Sequence, residues 1–435
     1  MIKKIFFVTL LIFFINAQTC CANQYEQIDL KTAIEIANKN NLDIKSSKLD
    51  VDIAKNEIKI SNRLENPSIV TSWNFGKAGK GNPNQLGVAE RVELFKRAPR
   101  KKLAQANYDL TLENFEYQKF NLKMDVAEAY IKLVVAKSIL QKYEHQQKFL
   151  EELLKISNLN NKENNRLDLD TIEAKIALNQ IITEVNKAKT NAKTARIGFN
   201  RIINAQNTNY DSMDSNLSKE NGIIGINIPQ TSKKLPPFKS IEDSAIKNRY
   251  DIKIAKNKIE LAKKKLIVVA RQKVPDLEVA GGYAYQTIGL ADDDRYKSGA
   301  FLGASLVNIP LLYSYKPEIK NAQLEIEKAD LEYISTVNKA KKSVEIAYEN
   351  FITAQLNLES YNDKILKDSD ELFALFEKKY RVENVDFATL AAVEESYQDL
   401  VVGYSEALSD YYLSWIGFLR EINSEDFSFD VAQDI

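Results

Sequence analysis

The residues able to do chemistry are few, and their spacing argues against catalysis. The chain of 435 residues has one histidine, His145, and no cluster of metal-ligand residues surrounds it. Its two cysteines, Cys20 and Cys21, are adjacent and close to the N-terminus. No glycine-rich phosphate loop, nucleophile elbow or HExxH pair occurs, so the motifs that hold a cofactor, a nucleophile or a zinc-bound water are missing. The carboxylates that recur form another kind of pattern. Asp168 and Thr171 return 218 positions later as Asp386 and Thr389, each Asp just ahead of an apolar-periodic helix. An Asp placed there accepts backbone N–H bonds from the next turn, so Asp168 and Asp386 read as helix N-caps before they read as acids or bases. An enzyme is not expected, nor a catalytic, cofactor-binding or metal residue.

Sixty basic residues balance sixty acidic ones. A general nucleic-acid binder needs a basic surplus to neutralise phosphates, so no nucleic-acid partner is expected. Fourteen Gly and nine Pro are few for this length, and the abundance of Lys, Glu, Leu, Ala and Asn predicts long uninterrupted helices.

Residues 1–22 read as a secretory signal: Lys3 and Lys4 at the positive end, an apolar stretch from Ile5 to Ile15, then small residues ending at Ala22. Cleavage there starts the mature chain near Asn23 and removes both cysteines. The alternative is an acylated N-terminus at Cys20 or Cys21, although Thr19 and Ala17 depart from what such a site wants. The apolar run is too short for a membrane anchor, and no later run of 18 apolar residues exists. If the mature chain spans a membrane, it must do so as strands of a closed barrel.

An internal repeat organises the rest. At a shift of 208, Asp43-Ile44-Lys45 meets Asp251-Ile252-Lys253, Ala54-Lys55 meets Ala262-Lys263, and Pro67 meets Pro275. Further on the shift is 218: Pro99 meets Pro317, Ala129-Tyr130 meets Ala347-Tyr348, and Tyr143 meets Tyr361. The extra residues must lie between Pro67 and Pro99 in one copy and Pro275 and Pro317 in the other, which predicts a surface loop there. The expected division is a first repeat over 23–204, a polar linker over 205–238, a second repeat over 239–422 and an acidic tail over 423–435.

Each copy has one order of elements. A first helix carries Ile44, Val51 and Ile58, with Ser47 and Ala54 between; its twin carries Ile252, Ile259 and Leu266. After two strand-like segments comes a long helix in which Leu122, Val126, Ala129, Leu133, Ala136, Leu140 and Tyr143 alternate steps of four and three, a coiled-coil seam. From Pro99 to about Leu159 it would reach about 90 Å at 1.5 Å per residue. A last helix closes each copy; the second shows Tyr397, Val401, Tyr404, Leu408, Tyr411, Trp415 and Phe418 on the same spacing.

The strands separate this pattern from an ordinary coiled coil. Over Pro67–Phe75, Ile69, Thr71, Trp73 and Phe75 share a face. Leu86 to Phe95 alternates again, interrupted by Glu90. In the second copy Leu277, Val279, Tyr283 and Tyr285 share a face; the faces of Phe301 to Leu311 stay unassigned. Short strands with one aromatic and apolar face suit a transmembrane barrel, and Ile69, Trp73, Phe75, Leu277, Val279, Tyr283 and Tyr285 are the expected lipid-facing residues. Four strands are too few to close a barrel, so the chain must oligomerise.

These features resemble the outer-membrane efflux protein family, the TolC-like channels, over about Ile28–Ile422. The marks are Asn-Leu-Asp-Ile at 41–44, the strands opening at Pro67 and Pro275, Ile309-Pro310-Leu311-Leu312, Lys379-Tyr380-Arg381-Val382, and the ending from Tyr404 to Tyr411. The resemblance implies a mostly α fold with a small β part: two tandem repeats of coiled-coil helices and a β-hairpin, trimerising into an α-barrel plus a twelve-stranded transmembrane β-barrel. It implies an outer-membrane location with a large periplasmic part, and contact with outer-membrane lipid. The function implied is a passive duct for efflux or type I secretion, docked to a periplasmic adaptor and an inner-membrane pump, with the 205–238 linker in an equatorial belt. At the hairpin tips, where the family carries Gly, this chain has Glu383 and Asn165, with Asn384 able to take the left-handed turn. The family's acidic entrance positions correspond to Thr389 and Ala392, so the candidate periplasmic entrance shifts to Asp170, Glu173 and Glu383. The alternative is a periplasmic coiled-coil adaptor or structural protein without a barrel. The residues do not distinguish metal ions, small organics or polypeptides as cargo.

Overall fold

The computed structural model describes residues 25–73, 84–164, 169–205, 208–214, 237–285, 298–361, 363–382 and 387–424. The proposed signal segment lies outside these, as does the proposed acidic tail beyond its first two residues, Asn423 and Ser424. In chain order the elements are β1 (Glu26–Ile28), α1 (Leu30–Asn40), α2 (Leu42–Ser61), β2 (Ser68–Ser72), β3 (Asn84–Val92), α3 (Arg97–Asn164) and α4 (Leu169–Ile202). After β4 (Tyr210–Ser212) the same order returns as α5 (Phe238–Asn248), α6 (Tyr250–Arg271), β5 (Asp276–Tyr285), β6 (Gly299–Val307), α7 (Lys316–Ser360), α8 (Asp363–Val382) and α9 (Phe387–Ile422). The first helices, α1 and α5, are eleven residues each and start 208 positions apart; α4 and α9 start 218 apart. Between them β3 and β6 start 215 apart, so seven of the ten extra residues fall between the starts of β5 and β6.

The second copy is not a replica. Where α3 runs unbroken for 68 residues, α7 stops at Ser360 and α8 starts at Asp363. The sequence seam runs to Tyr361 without announcing this break. Helix starts differ too. Asn41 caps α2, its Oδ1 accepting from the N–H groups of Asp43 (2.9 Å) and Ile44 (3.1 Å). Its counterpart Arg249 gives α6 no side-chain cap and pairs with Asp251 at 2.7 Å instead.

Contacts divide the chain into two compact units, each drawn from both copies. The first unit comprises residues up to Lys45, Gln118–Lys247 and Lys341 onward. Its core is aromatic: Phe351 stacks on Tyr411 at 5.3 Å and meets Trp415 at 5.0 Å, with Phe418 beside both. The seam residues Val344, Phe351, Leu358, Leu408 and Trp415 are all buried. Arg420 ties the helices by reaching Asp125 and Glu128, both at 2.8 Å. This unit also holds a two-stranded parallel sheet, β1 with β4, which no sequence pattern announced. Asp211 on β4 accepts Arg196 at 2.9 Å and Lys137 at 3.3 Å, while the Tyr130 hydroxyl donates to Asp214 at 2.7 Å. Burial and the Asp214 carboxylate push the Tyr130 phenol far up. Three-residue strands are too short to show a period, so they sit unseen at the edge of the polar linker.

The second unit comprises Ser46–Tyr117 and Asn248–Ala340. On α2 the buried side is small and polar, with Ser47, Ala54 and Ser61 spaced by seven. The unit holds a four-stranded antiparallel sheet in the order β2-β3-β5-β6. Its base is fastened by charge. Lys96 meets the buried Asp276 at 2.7 Å, and Asn308 donates to the other carboxylate oxygen at 3.0 Å. Arg100 pairs with Glu93 at 2.7 Å and donates to the Ser61 carbonyl at 2.9 Å.

Candidate functional site

The register of the sheet sorts its side chains into two faces, because residues directly opposite in an antiparallel pair share a face. Ile69 faces Val88, Leu86 faces Tyr283, Val92 faces Leu277, and Leu277 faces Leu306. Gly281 faces Leu302, which places Leu302 and Leu306 on this apolar side and resolves the strand that alternation left unassigned. The opposite face carries Ser68, Ser72, Gln85, Arg91, Glu278 and Ser305, with Phe301 among them. Phe301 has a packing role there. Its partner Gly282 lies so close to β3 that an added Cβ would sit 2.4 Å from the Gly87 Cα, and the Phe301 ring covers the resulting gap.

The apolar face is open. Leu302 is 83% exposed and Ile69 77%, and Trp73, Leu86, Val88, Tyr283 and Leu306 are also exposed. Leu277, Val279 and Tyr285 are half-buried, Tyr285 meeting Trp73 edge-on at 6.2 Å. Phe75 lies outside the described residues. An apolar array of this extent is rare on a surface bathed only by water.

The expected entrance residues are described only in part. Asp168, Glu383 and Asp386 lie outside the described residues, as does the side chain of Asp170, whose backbone is in α4. Glu173 stands in the first turns of α4, half-buried. Close by, the Thr171 and Ser157 hydroxyls pair at 3.0 Å, and Ala174 packs with Phe149, Leu150, Leu153 and Leu390. Thr389, the repeat counterpart of Thr171, is exposed and shares a groove with Ala392, Leu372 and Ser369.

One further polar group is buried where α3, α8 and α9 meet. Gln146 and Gln398 are each 8% exposed and Glu394 3%. Gln146 donates its amide to Glu394 Oε2 at 2.9 Å. Glu394 Oε1, Gln146 Oε1 and Gln398 Oε1 have no partner. Burial pushes the Glu394 carboxyl up to about 7, against the pull of the Gln146 and Gln398 amides. Lys142, one turn from Gln146, donates to the Val401 carbonyl at 3.1 Å and to the Ser405 hydroxyl, and burial brings its ammonium down to about 8. The residues surround a cavity of about 420 Å³.

No helix among the described residues is long and apolar enough to cross a membrane. No protein-family model matches the sequence, and no curated protein does. Solved structures do. A membrane protein from Pseudomonas aeruginosa superposes with a TM-score of 0.73 at 14% identity, covering 94% of each chain. The Campylobacter jejuni CmeC outer membrane channel gives 0.71 at 13%, covering 93% of this chain and 88% of its own. The open state of the Neisseria gonorrhoeae MtrE outer membrane channel gives 0.71 at 17%, covering 91% and 89%. The chain has the fold of these outer-membrane channels.

Within that channel fold, the open apolar face was readable from alternation, and the buried carboxylate had a signal as well. The four-three seam of α9 extends backward from Tyr397 through Glu394 to Leu390. A carboxylate in a seam position is a buried charge in waiting. The seam of α3 steps from Tyr143 to Gln147, so Gln146 lies one position off it and had no such signal.

Proposed function

We propose that the chain is a subunit of a passive outer-membrane duct for efflux or type I secretion, rather than an enzyme. The observation that carries this reading is the four-stranded sheet with one open apolar face and edge strands, β2 and β6, each paired on one side only among the described residues. An unpaired edge in hydrocarbon leaves backbone N–H and C=O groups without partners, so the sheet must close with copies of itself. Three chains supply twelve strands and two supply eight; the resemblance to the outer-membrane efflux protein family favours three. Helix surfaces agree: Leu49, Ile53 and Ile60 on α2, and Leu324 and Leu331 on α7, form apolar rows left open in a single chain. A periplasmic adaptor and an inner-membrane pump are the partners of this reading. The signal over 1–22, the repeats over 23–204 and 239–422, the linker over 205–238 and the tail over 423–435 belong to it too.

At the tips, Asp170, Glu173 and Glu383 would ring the periplasmic entrance, with Asp168 and Asp386 capping helices. Three copies of each carboxylate in a narrow ring favour cations. The deciding measurement is the mass of the detergent-solubilised protein from the outer-membrane fraction. Three chains per particle are expected. A stable monomer, or full release by osmotic shock without detergent, overturns the reading.

A further inference from the structure

We propose that the cavity bounded by Gln146, Glu394 and Gln398 is a binding site for a small organic primary ammonium ion. It goes beyond the duct reading and does not depend on it, because every residue involved lies in the first compact unit. The argument starts from the unpartnered atoms. Glu394 Oε1, Gln146 Oε1 and Gln398 Oε1 are acceptors on side chains more than nine-tenths buried, and all three side chains line the same cavity. A buried acceptor left without a donor is costly, and more so when it is charged. A primary ammonium carries three N–H donors and one positive charge, which matches three empty acceptors of which one is a carboxylate.

The surroundings select an organic body over a bare ion. Phe149 meets Phe373 edge-on at 5.1 Å, and Phe373 stacks on Tyr397 at 4.8 Å, so one wall is aromatic. Aromatic faces attract cations and shelter an apolar tail. A volume of about 420 Å³ falls in the range of small-molecule sites and far exceeds one ion. A hard metal ion wants six or more oxygen ligands, and no group of three His, Cys, Asp or Glu gathers among the described residues. Lys142 does not fill the role, since its ammonium is held by Val401 and Ser405.

Charge also sets the pH window. His145 and Lys142 line the cavity from α3, and Tyr397 lines it from α9 while its hydroxyl donates to Asp370 on α8. Glu395 and Asp399 add negative potential from α9. Glu394 must be ionised and the ligand protonated, so binding should weaken as pH falls through about 7. Above about 8, Lys142 loses its competing charge and binding should gain.

The test is calorimetric titration of the full-length protein in detergent with 2-phenylethylamine at pH 8, beside its N,N,N-trimethyl derivative. We expect one site per chain, at least tenfold weaker binding of the trimethyl compound, and at least tenfold loss in Glu394→Gln. Absence of heat with the primary amine up to millimolar concentration overturns the proposal. So does equal binding of the two compounds by the unaltered protein, which requires no variant to fold. Equal binding by a folded Glu394→Gln protein, checked by its melting curve, overturns it as well.

Discussion

The two compact units use the same apolar residue types in opposite ways. In the first, Phe351, Trp415 and Phe418 are sealed among helices, with scarcely any surface open. In the second, Leu302, Ile69 and Tyr283 stand outward on a sheet whose opposite face carries Ser, Gln, Arg and Glu. Burial removes an apolar side chain from water, and both arrangements do that if the sheet's apolar face meets hydrocarbon. On that reading the helical unit is a protein core in water and the sheet an inverted one suited to another solvent. The same contrast governs charge. At the base of the sheet Asp276 has both Lys96 and Asn308, while the carboxylate inside the helical unit has amides and no cation.

The largest expected effect is in the sealed core. Trp415→Ala removes an indole packed against Phe351 and Phe418 and leaves a cavity between helices that cannot collapse fully. A loss of about 3–5 kcal/mol is expected in denaturant unfolding followed by far-UV circular dichroism. A loss under about 1 kcal/mol would show that the aromatic cluster is no core.

Next comes the lone carboxylate. Glu394 holds its proton to about 7 in the folded chain, against an ordinary 4.5. The folded state therefore binds more protons than the unfolded state between these values. The contribution of Glu394 to stability is therefore greatest below about 4.5, declines as pH rises to about 7 and is flat beyond, by about 3 kcal/mol in all. Glu394→Gln should remove that decline, and 2-phenylethylamine should reduce it in the unaltered protein. A wild-type profile without any decline over that range counts against a buried, unpaired Glu394.

The sheet is tested by reversing its polarity. Leu302→Lys sets a charge in the middle of the open apolar face. If that face meets lipid, insertion into bilayers should be disfavoured by about 2–4 kcal/mol. If it meets water, the change should be neutral within about 0.5 kcal/mol. Partitioning between soluble and vesicle-bound fractions separates the two.

These regions were unequally legible in the sequence. The sheet's faces followed from alternation at Ile69, Trp73, Leu277 and Tyr283, because a period of two survives in a single strand. Leu302 and Leu306 did not follow, since both sides of β6 carry apolar residues and only pairing with β5 sorts them. The seam of α9 was plain from Tyr397 to Phe418, but its continuation to Glu394 reads as an interruption until Gln146 is seen across from it. On α3 the seam predicted a stripe, yet Met124, Ala127, Tyr130, Ile131 and Val134 are buried too. Neighbours on several sides widen the buried surface, and one helix's periodicity does not report how many neighbours it has. The pairing of β1 with β4 joins residues near 26 and 210, a contact that no local pattern announces. The tip carboxylates Asp168, Glu383 and Asp386 remain a matter of sequence alone.

The smallest effect separates the two faces of one strand. Gly281 and Gly282 are neighbours on β5, so their missing side chains point to opposite sides. A Cβ on Gly281 would meet Leu302 at 3.6 Å and the Phe301 carbonyl oxygen at 3.7 Å, both ordinary contacts. A Cβ on Gly282 would fall 2.3 Å from the Leu86 carbonyl oxygen and 2.4 Å from the Gly87 Cα. Backbone cannot step aside as a flexible side chain can, so β3 and β5 would have to part where Phe301 now bridges them. Gly282→Ala should cost about 1–3 kcal/mol, as overpacking does. Gly281→Ala should be neutral or gain up to about 1 kcal/mol, because the unfolded chain loses freedom while the strand accepts the methyl group. Unfolding of the two variants side by side checks the order. The reverse order would mean that the close approach of β3 and β5 lies on the apolar side, and would exchange the two faces assigned to the sheet.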